Sequence, residues 1–284
     1  MTARNRAHSL FATAALLLAL AAFQPAFAAE VVGADINLSP LRVVFEKGGR
    51  SETLFVFNHG DSPATYKIEL IDRMMTKDGR LLPVTEALED PALEPAVPDV
   101  HSAKDFIVYT PRRITLAPNE SQTIRVQALR PAGLADGEYR THLTVTAVPP
   151  EDTGVTAEQL SQTSKGELAI RIVPVFSLSI PLIVRQGPTD IRALIENAEV
   201  LSGAVNAEIV RLGANSVYGD IEVLAGKDVI GVVKGVAVYP EVKRRSVRVP
   251  LTRAPNPGEE LSLVFFDSDQ HPGAELARQS LRAP

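Results

Sequence analysis

From Glu167 to Val184 the chain alternates. Leu168, Ile170, Ile172, Pro174, Phe176, Leu178, Ile180, Leu182 and Val184 are all apolar, and the residues between them are mixed. A period of two belongs to a β-strand, whose successive side chains point to opposite faces. The usual strand has ~5–6 residues. At ~3.3 Å per residue this ladder runs about 55 Å, too long for one ordinary sandwich. It is expected to continue from one domain toward the next. Pro174 and Pro181 lack a ladder donor, so part of the strand should lie at a sheet edge. Their opposite parity calls for a bulge or for two different neighbours.

The rest of the chain reads as shorter strands bounded by Gly, Pro, Asn and Asp. Before the ladder these are Leu41–Phe45, Thr53–Phe57, Thr65–Ile71, Asp105–Val108, Arg113–Leu116, Gln122–Leu129 and Glu138–Val148. After Gln186-Gly187-Pro188 come Ile191–Leu201, Val205–Leu212, Asp220–Ala225, Val229–Val238, Ser246–Leu251 and Leu261–Phe266. Ala274–Arg282 fits one helical turn or a final strand. Leu82–Lys104, rich in Pro and acid, and the polar Pro149–Gly166 read as loops. Near the start, Ile36 and Leu38 are even while Leu41, Val43 and Phe45 are odd, with Pro40 at the switch. A one-residue slip flips the facing side, so this strand should bend and cross between sheet edges. Regularly spaced short strands indicate β-sandwiches.

The N-terminus does not belong to that pattern. Arg4 and Arg6 precede the apolar run Leu10–Phe23, and Ala26-Phe27-Ala28 is a small-residue cleavage signal. Residues 1–28 read as a secretory signal peptide cut before Ala29. Its apolar run falls short of the ~20 residues of a membrane span. Removing it leaves 27 basic residues against 34 acidic, a net charge of −7. The mature chain is expected outside the cytoplasm, without membrane insertion.

Composition narrows the chemistry. The 284 residues contain no Cys, which excludes disulfides, thiolate nucleophiles and Cys-ligated zinc or iron–sulfur clusters. The acidic balance and 5% aromatics argue against nucleic-acid binding. The five His are scattered, and no nucleophile elbow, P-loop or zinc motif occurs. Asp267-Ser268-Asp269-Gln270-His271 resembles a metal loop only superficially and reads as a polar turn after a strand. No enzyme activity, metal or cofactor is expected.

Leu134-Ala-Asp-Gly-Glu138-Tyr139 opens the strand that ends at Val148. A Tyr there resembles the tyrosine corner of immunoglobulin-like sandwiches, whose hydroxyl closes a turn by bonding backbone. With Leu38-Ser-Pro-Leu-Arg42-Val-Val-Phe45, Tyr109–Val126, Arg130–Arg140 and the ladder ending Leu182-Ile-Val-Arg185, the mature chain resembles the PapD-like periplasmic chaperones of chaperone–usher pilus assembly, as a divergent member.

The resemblance implies an all-β fold of two immunoglobulin-like β-sandwich domains in an L or boomerang arrangement, residues 29–185 and 186–284. It implies that the long strand lends side chains to a pilin-like subunit lacking its own last strand, and that an outer-membrane usher receives the complex. The expected donors are Leu168, Ile170, Ile172, Phe176 and Leu178. Arg42 matches the family's cation for the subunit's C-terminal carboxylate. The family's second cation, a Lys, is replaced by Pro181; Arg112, Arg113 or Lys67 are candidate substitutes. Glu138, Arg185 and Asp267 match an interdomain ion network. An uncovered donor strand also leaves self-association open. The competing readings are a secreted structural or adhesive sandwich and a secreted hydrolase. Low aromatic content disfavours the sugar-binding form of the first, and the missing motifs disfavour the second.

Overall fold

The computed structural model describes residues 35–149 and 175–284. The protein is all-β, built as two immunoglobulin-like sandwiches. The first contains β1 (Ile36–Ser39), β2 (Val43–Phe45), β3 (Ser51–Asn58), β4 (Ala64–Ile71), a hairpin β5 (Arg73–Met75) and β6 (Leu81–Pro83), β7 (Ile107–Thr110), β8 (Arg113–Leu116), β9 (Ser121–Ala128), β10 (Gly137–Val148) and β11 (Ser177–Gln186). One sheet has the order β1-β3-β9-β7 and the other β2-β11-β10-β4-β8. The second sandwich contains β12 (Ala193–Leu201), β13 (Ala204–Arg211), β14 (Val217–Ala225), β15 (Asp228–Val238), β16 (Arg244–Pro250), β17 (Glu260–Asp267) and β18 (Glu275–Arg282). Its sheets run β12-β13-β16 and β15-β14-β17-β18. The segment Ala274–Arg282, open between helix and strand in the sequence, is thus a strand.

The alternating strands bury one face each. Leu54, Val56, Tyr66, Ile124, Leu143 and Leu182 meet in the first core. Ile209, Ile221, Val223, Val249, Leu263 and Phe265 fill the second. A smaller cluster of Met75, Ile183, Ala237, Tyr239 and Val242 packs between the sandwiches. At Pro40 the chain changes sheets: β1 pairs with β3, and β2 pairs in parallel with β11. That crossing lets Leu38 and Val43, of opposite parity, face the same core.

Leu82–Lys104 differs from the expected loop. It holds β6, a helical turn α1 (Val84–Ala87) and a 3-10 helix (Glu94–Asp99). Asp105 lies in a second 3-10 turn (Lys104–Phe106) rather than in a strand. Buried Ala87 and Ala103 anchor the stretch. The β5–β6 hairpin reaches the second sandwich, where the Ser246 N–H donates to the Lys77 carbonyl at 2.7 Å. Leu168, Ile170, Ile172 and Pro174, the Pro149–Gly166 loop beyond Pro149, and the signal peptide with its cleavage site lie outside the described residues.

Candidate functional site

β11 is the strand that the sequence singles out. On one side it pairs with β10 from Gln186 to Ser177. On the other side β2 covers only Leu182–Val184. Among the described residues, Ser177–Pro181 therefore presents a strand edge with no neighbour on that side. Pro181 sits where the second neighbour ends, a position that tolerates a missing donor.

The apolar ladder divides along the same strand. Ile180, Leu182 and Val184 point into the first core. Leu178 is 36% exposed, and Phe176, just before the strand, is 41% exposed. Leu41, leading into β2, is also exposed. Even residues share one face, so the side chains that build the core and those left in solvent form one continuous row. An unpaired edge carrying an apolar row can accept another extended segment, through main-chain bonds and alternate side chains.

At its other end β11 enters the junction between the sandwiches. Arg185 is the largest fully buried side chain. It donates to Glu138 Oε2 at 3.2 Å, Asp269 Oδ2 at 2.6 Å and Glu46 Oε1 at 2.8 Å. Burial alone would lower its pKa, but Glu138, Asp269 and Glu46 more than offset this and hold it above its ordinary value. The Ser216 N–H donates to the same Glu138 Oε2 at 3.1 Å, and Gln270 Nε2 donates to Glu46 at 2.6 Å.

The carboxylate that closes this network is Asp269, not the expected Asp267. Asp267 instead accepts the N–H groups of Asp269 and His271, each at 2.8 Å. Its oxygens are taken up by the turn after β17, and the turn carries Asp269 forward to the arginines.

Arg42 lies in the same network. Its Nη2 donates to Asp269 Oδ2 at 3.0 Å and Ser216 Oγ at 3.1 Å, and its guanidinium stacks 4.7 Å from the Tyr218 ring centre. The side chain is only 8% exposed. An internal carboxylate thus occupies the cation expected to anchor a partner's carboxylate. None of the candidate substitutes stands beside it. Lys67 on β4 pairs with Glu69 at 2.7 Å and lies in register with Arg113 on β8. Arg112 stacks on Tyr109. These strands are separated from β11 by β10.

A second ionic contact was not anticipated. Arg140 Nη2 donates to Glu241 Oε1 at 2.5 Å and to the Arg73 carbonyl at 2.9 Å, and it stacks 3.6 Å from the Tyr239 ring centre. The Met75 N–H donates to the same Glu241 oxygen at 2.8 Å. The signal was strand parity: Arg140 and His142 share the face of Glu138 on β10. Tyr139, on the opposite face, donates to the Ala135 carbonyl at 3.1 Å, the geometry of a tyrosine corner.

No protein-family profile matches the chain, and no curated protein sequence matches it. Solved structures do. The chain is similar to the YadV chaperone at 13% identity, covering 87% of this chain and 99% of that one, with a TM-score of 0.45. It is similar to the E. coli chaperone DraB at 15% identity, covering 88% and 96%, with a TM-score of 0.44. A chain of the Salmonella enterica SafA pilin–SafB chaperone complex matches at 15% identity, covering 90% and 98%, with a TM-score of 0.43. No helix among the described residues is long and apolar enough to cross a membrane.

Proposed function

We propose that this chain is a divergent periplasmic chaperone of pilus assembly. It captures pilin-like subunits by adding β11, with the apolar residues that precede it, as a strand, and passes them to an outer-membrane usher. The observation that supports this reading is the free edge of Ser177–Pro181, whose exposed Phe176 and Leu178 continue the row of core residues Ile180, Leu182 and Val184. Leu168, Ile170 and Ile172 extend the same parity. No bond making or breaking is needed.

Phe176 and Leu178 are 41% and 36% exposed, so covering what is left of them would gain about 1–2 kcal/mol, that share of roughly 1.5–3 kcal/mol per fully buried side chain. Association costs ~4–15 kcal/mol. Main-chain pairing along the edge and the residues further up the ladder have to supply the difference, so capture should depend on the length of strand engaged. Arg42 enters this reading as part of the junction, since a subunit carboxylate would first have to displace Asp269.

The test is co-purification from periplasm, with mass spectrometry of the proteins that come down with the chain. Phe176→Asp and Leu178→Asp should abolish capture while circular dichroism and melting temperature stay unchanged, because both side chains are partly in solvent. A doubly substituted chain that still brings down subunits would refute strand addition.

A further inference from the structure

His142 has no role in the strand edge or in the ion pairs. It lies on β10 between Pro181 of β11 and Ile71 of β4, fully buried, and both ring nitrogens lack a hydrogen-bond partner. From the second sandwich, the Tyr239 ring meets it edge-on at 6.4 Å. It is thus part of the seam where the first sandwich is pressed against the second.

The charged surroundings are lopsided. Arg140 is on its own strand, Arg73 comes from β5 and Arg42 from the lead into β2, and all three act on the imidazole. Nearby acids are engaged with other cations: Glu241 with Arg140, Glu138 with Arg185, and Glu69 of β4 with Lys67. Arg245, from β16, donates to the Ala237 carbonyl next to this seam. Burial first, then the three arginines, hold the His142 pKa well below its ordinary value. A neutral ring fits this position; a protonated one would be a further buried cation with no acceptor for either N–H.

We propose that His142 makes the junction between the two sandwiches a pH-sensitive joint, closed while the ring is neutral and opened when the ring takes up a proton. In the open state the ring meets water and regains its ordinary pKa near ~6.5. The closed state binds fewer protons than the open one, so closure is favoured above that pH. Below it, each pH unit shifts the balance toward opening by about tenfold, until the closed-state pKa is reached.

Three amides report the joint, because each donates across it: Met75 to Glu241, Ser216 to Glu138 and Ser246 to the Lys77 carbonyl. Amide hydrogen exchange of the purified chain, corrected for intrinsic rates, should show their protection falling by roughly fifteenfold between pH 6.5 and 5.0. In His142→Gln, which keeps every carboxylate and arginine, the fall should be much smaller. Equal losses in the two proteins would assign the effect to the carboxylates and overturn the proposal. Unchanged protection in the parent chain would do the same. Should the variant not fold, ring NMR of the parent decides. Ring protonation with the three amides still protected overturns the joint; ring protonation together with loss of their protection supports it.

Discussion

Replacing Arg185 with Met should be among the costlier single substitutions in this chain. The guanidinium bonds Glu138, Asp269 and Glu46. The Glu46 contact, with a carboxylate 44% exposed, is worth at most ~1 kcal/mol. The other two carboxylates are buried. Glu138 would keep only the Ser216 N–H, and its Oε1 already lacks a partner. Asp269 would keep Arg42. Removing one member of a buried pair costs about 3–5 kcal/mol, because the other charge is left uncompensated. With Arg42 still holding Asp269, the loss should sit near the lower end, ~3 kcal/mol.

Urea unfolding at pH 7, followed by far-UV circular dichroism, measures this directly. Arg282→Met is the control, because its pair with Glu260 is 69% and 80% exposed and should cost no more than about 0.5 kcal/mol. The double variant Arg185→Met, Glu138→Leu should recover part of the loss, since no carboxylate is then stranded at that point. The junction is also the contact through which the two cores are coupled. Tyr218 and Tyr239 sit in its apolar cluster, so the tyrosine-fluorescence midpoint should separate from that of circular dichroism in Arg185→Met. A cost below ~1 kcal/mol with coincident midpoints would mean that water reaches these charges and that the apolar cluster alone holds the sandwiches together.

Other outcomes are expected from the same geometry. Leu182→Ala, in the first core, should cost about 2–5 kcal/mol, whereas Leu178→Ala, four residues earlier on the same face, should stay within ~0.5 kcal/mol; thermal melts separate them. Tyr139→Phe removes the bond to the Ala135 carbonyl and should cost about 0.5–1.5 kcal/mol by urea titration. Gly187, between β11 and β12, has φ +81°, and a Cβ there would fall 2.3 Å from the Asp136 carboxyl carbon. Gly187→Ala should therefore lose roughly 1–2 kcal/mol from backbone strain alone, read by the same titration.

The apolar row from Phe176 to Val184 was legible because a strand has period two, and any sheet it joins must place even residues on one face. What alternation does not encode is where that row passes from solvent into core, because that depends on where β2 stops. Its three residues are recruited by a turn at Pro40, more than 130 positions earlier. The ion network shows the same limit. Asp267 and Asp269 have equal parity, so no strand argument separates them. Asp267 is consumed by N–H groups of its own turn, and Asp269 reaches Arg42 across 227 positions. Leu82–Lys104 misled for a different reason. Proline and acid describe its surface, while its anchors are Ala87 and Ala103, too small to form a visible pattern. His142 was hidden only by being counted with the other histidines. Set beside Glu138 and Arg140 on one face of β10, it lies on a row that has to bury charge once a second sandwich covers it. Burial of that row demands partners for the carboxylate and the guanidinium, and both have them. The imidazole can meet the same demand by staying neutral, which is why it can be packed without an acceptor and why acid should act on the junction there.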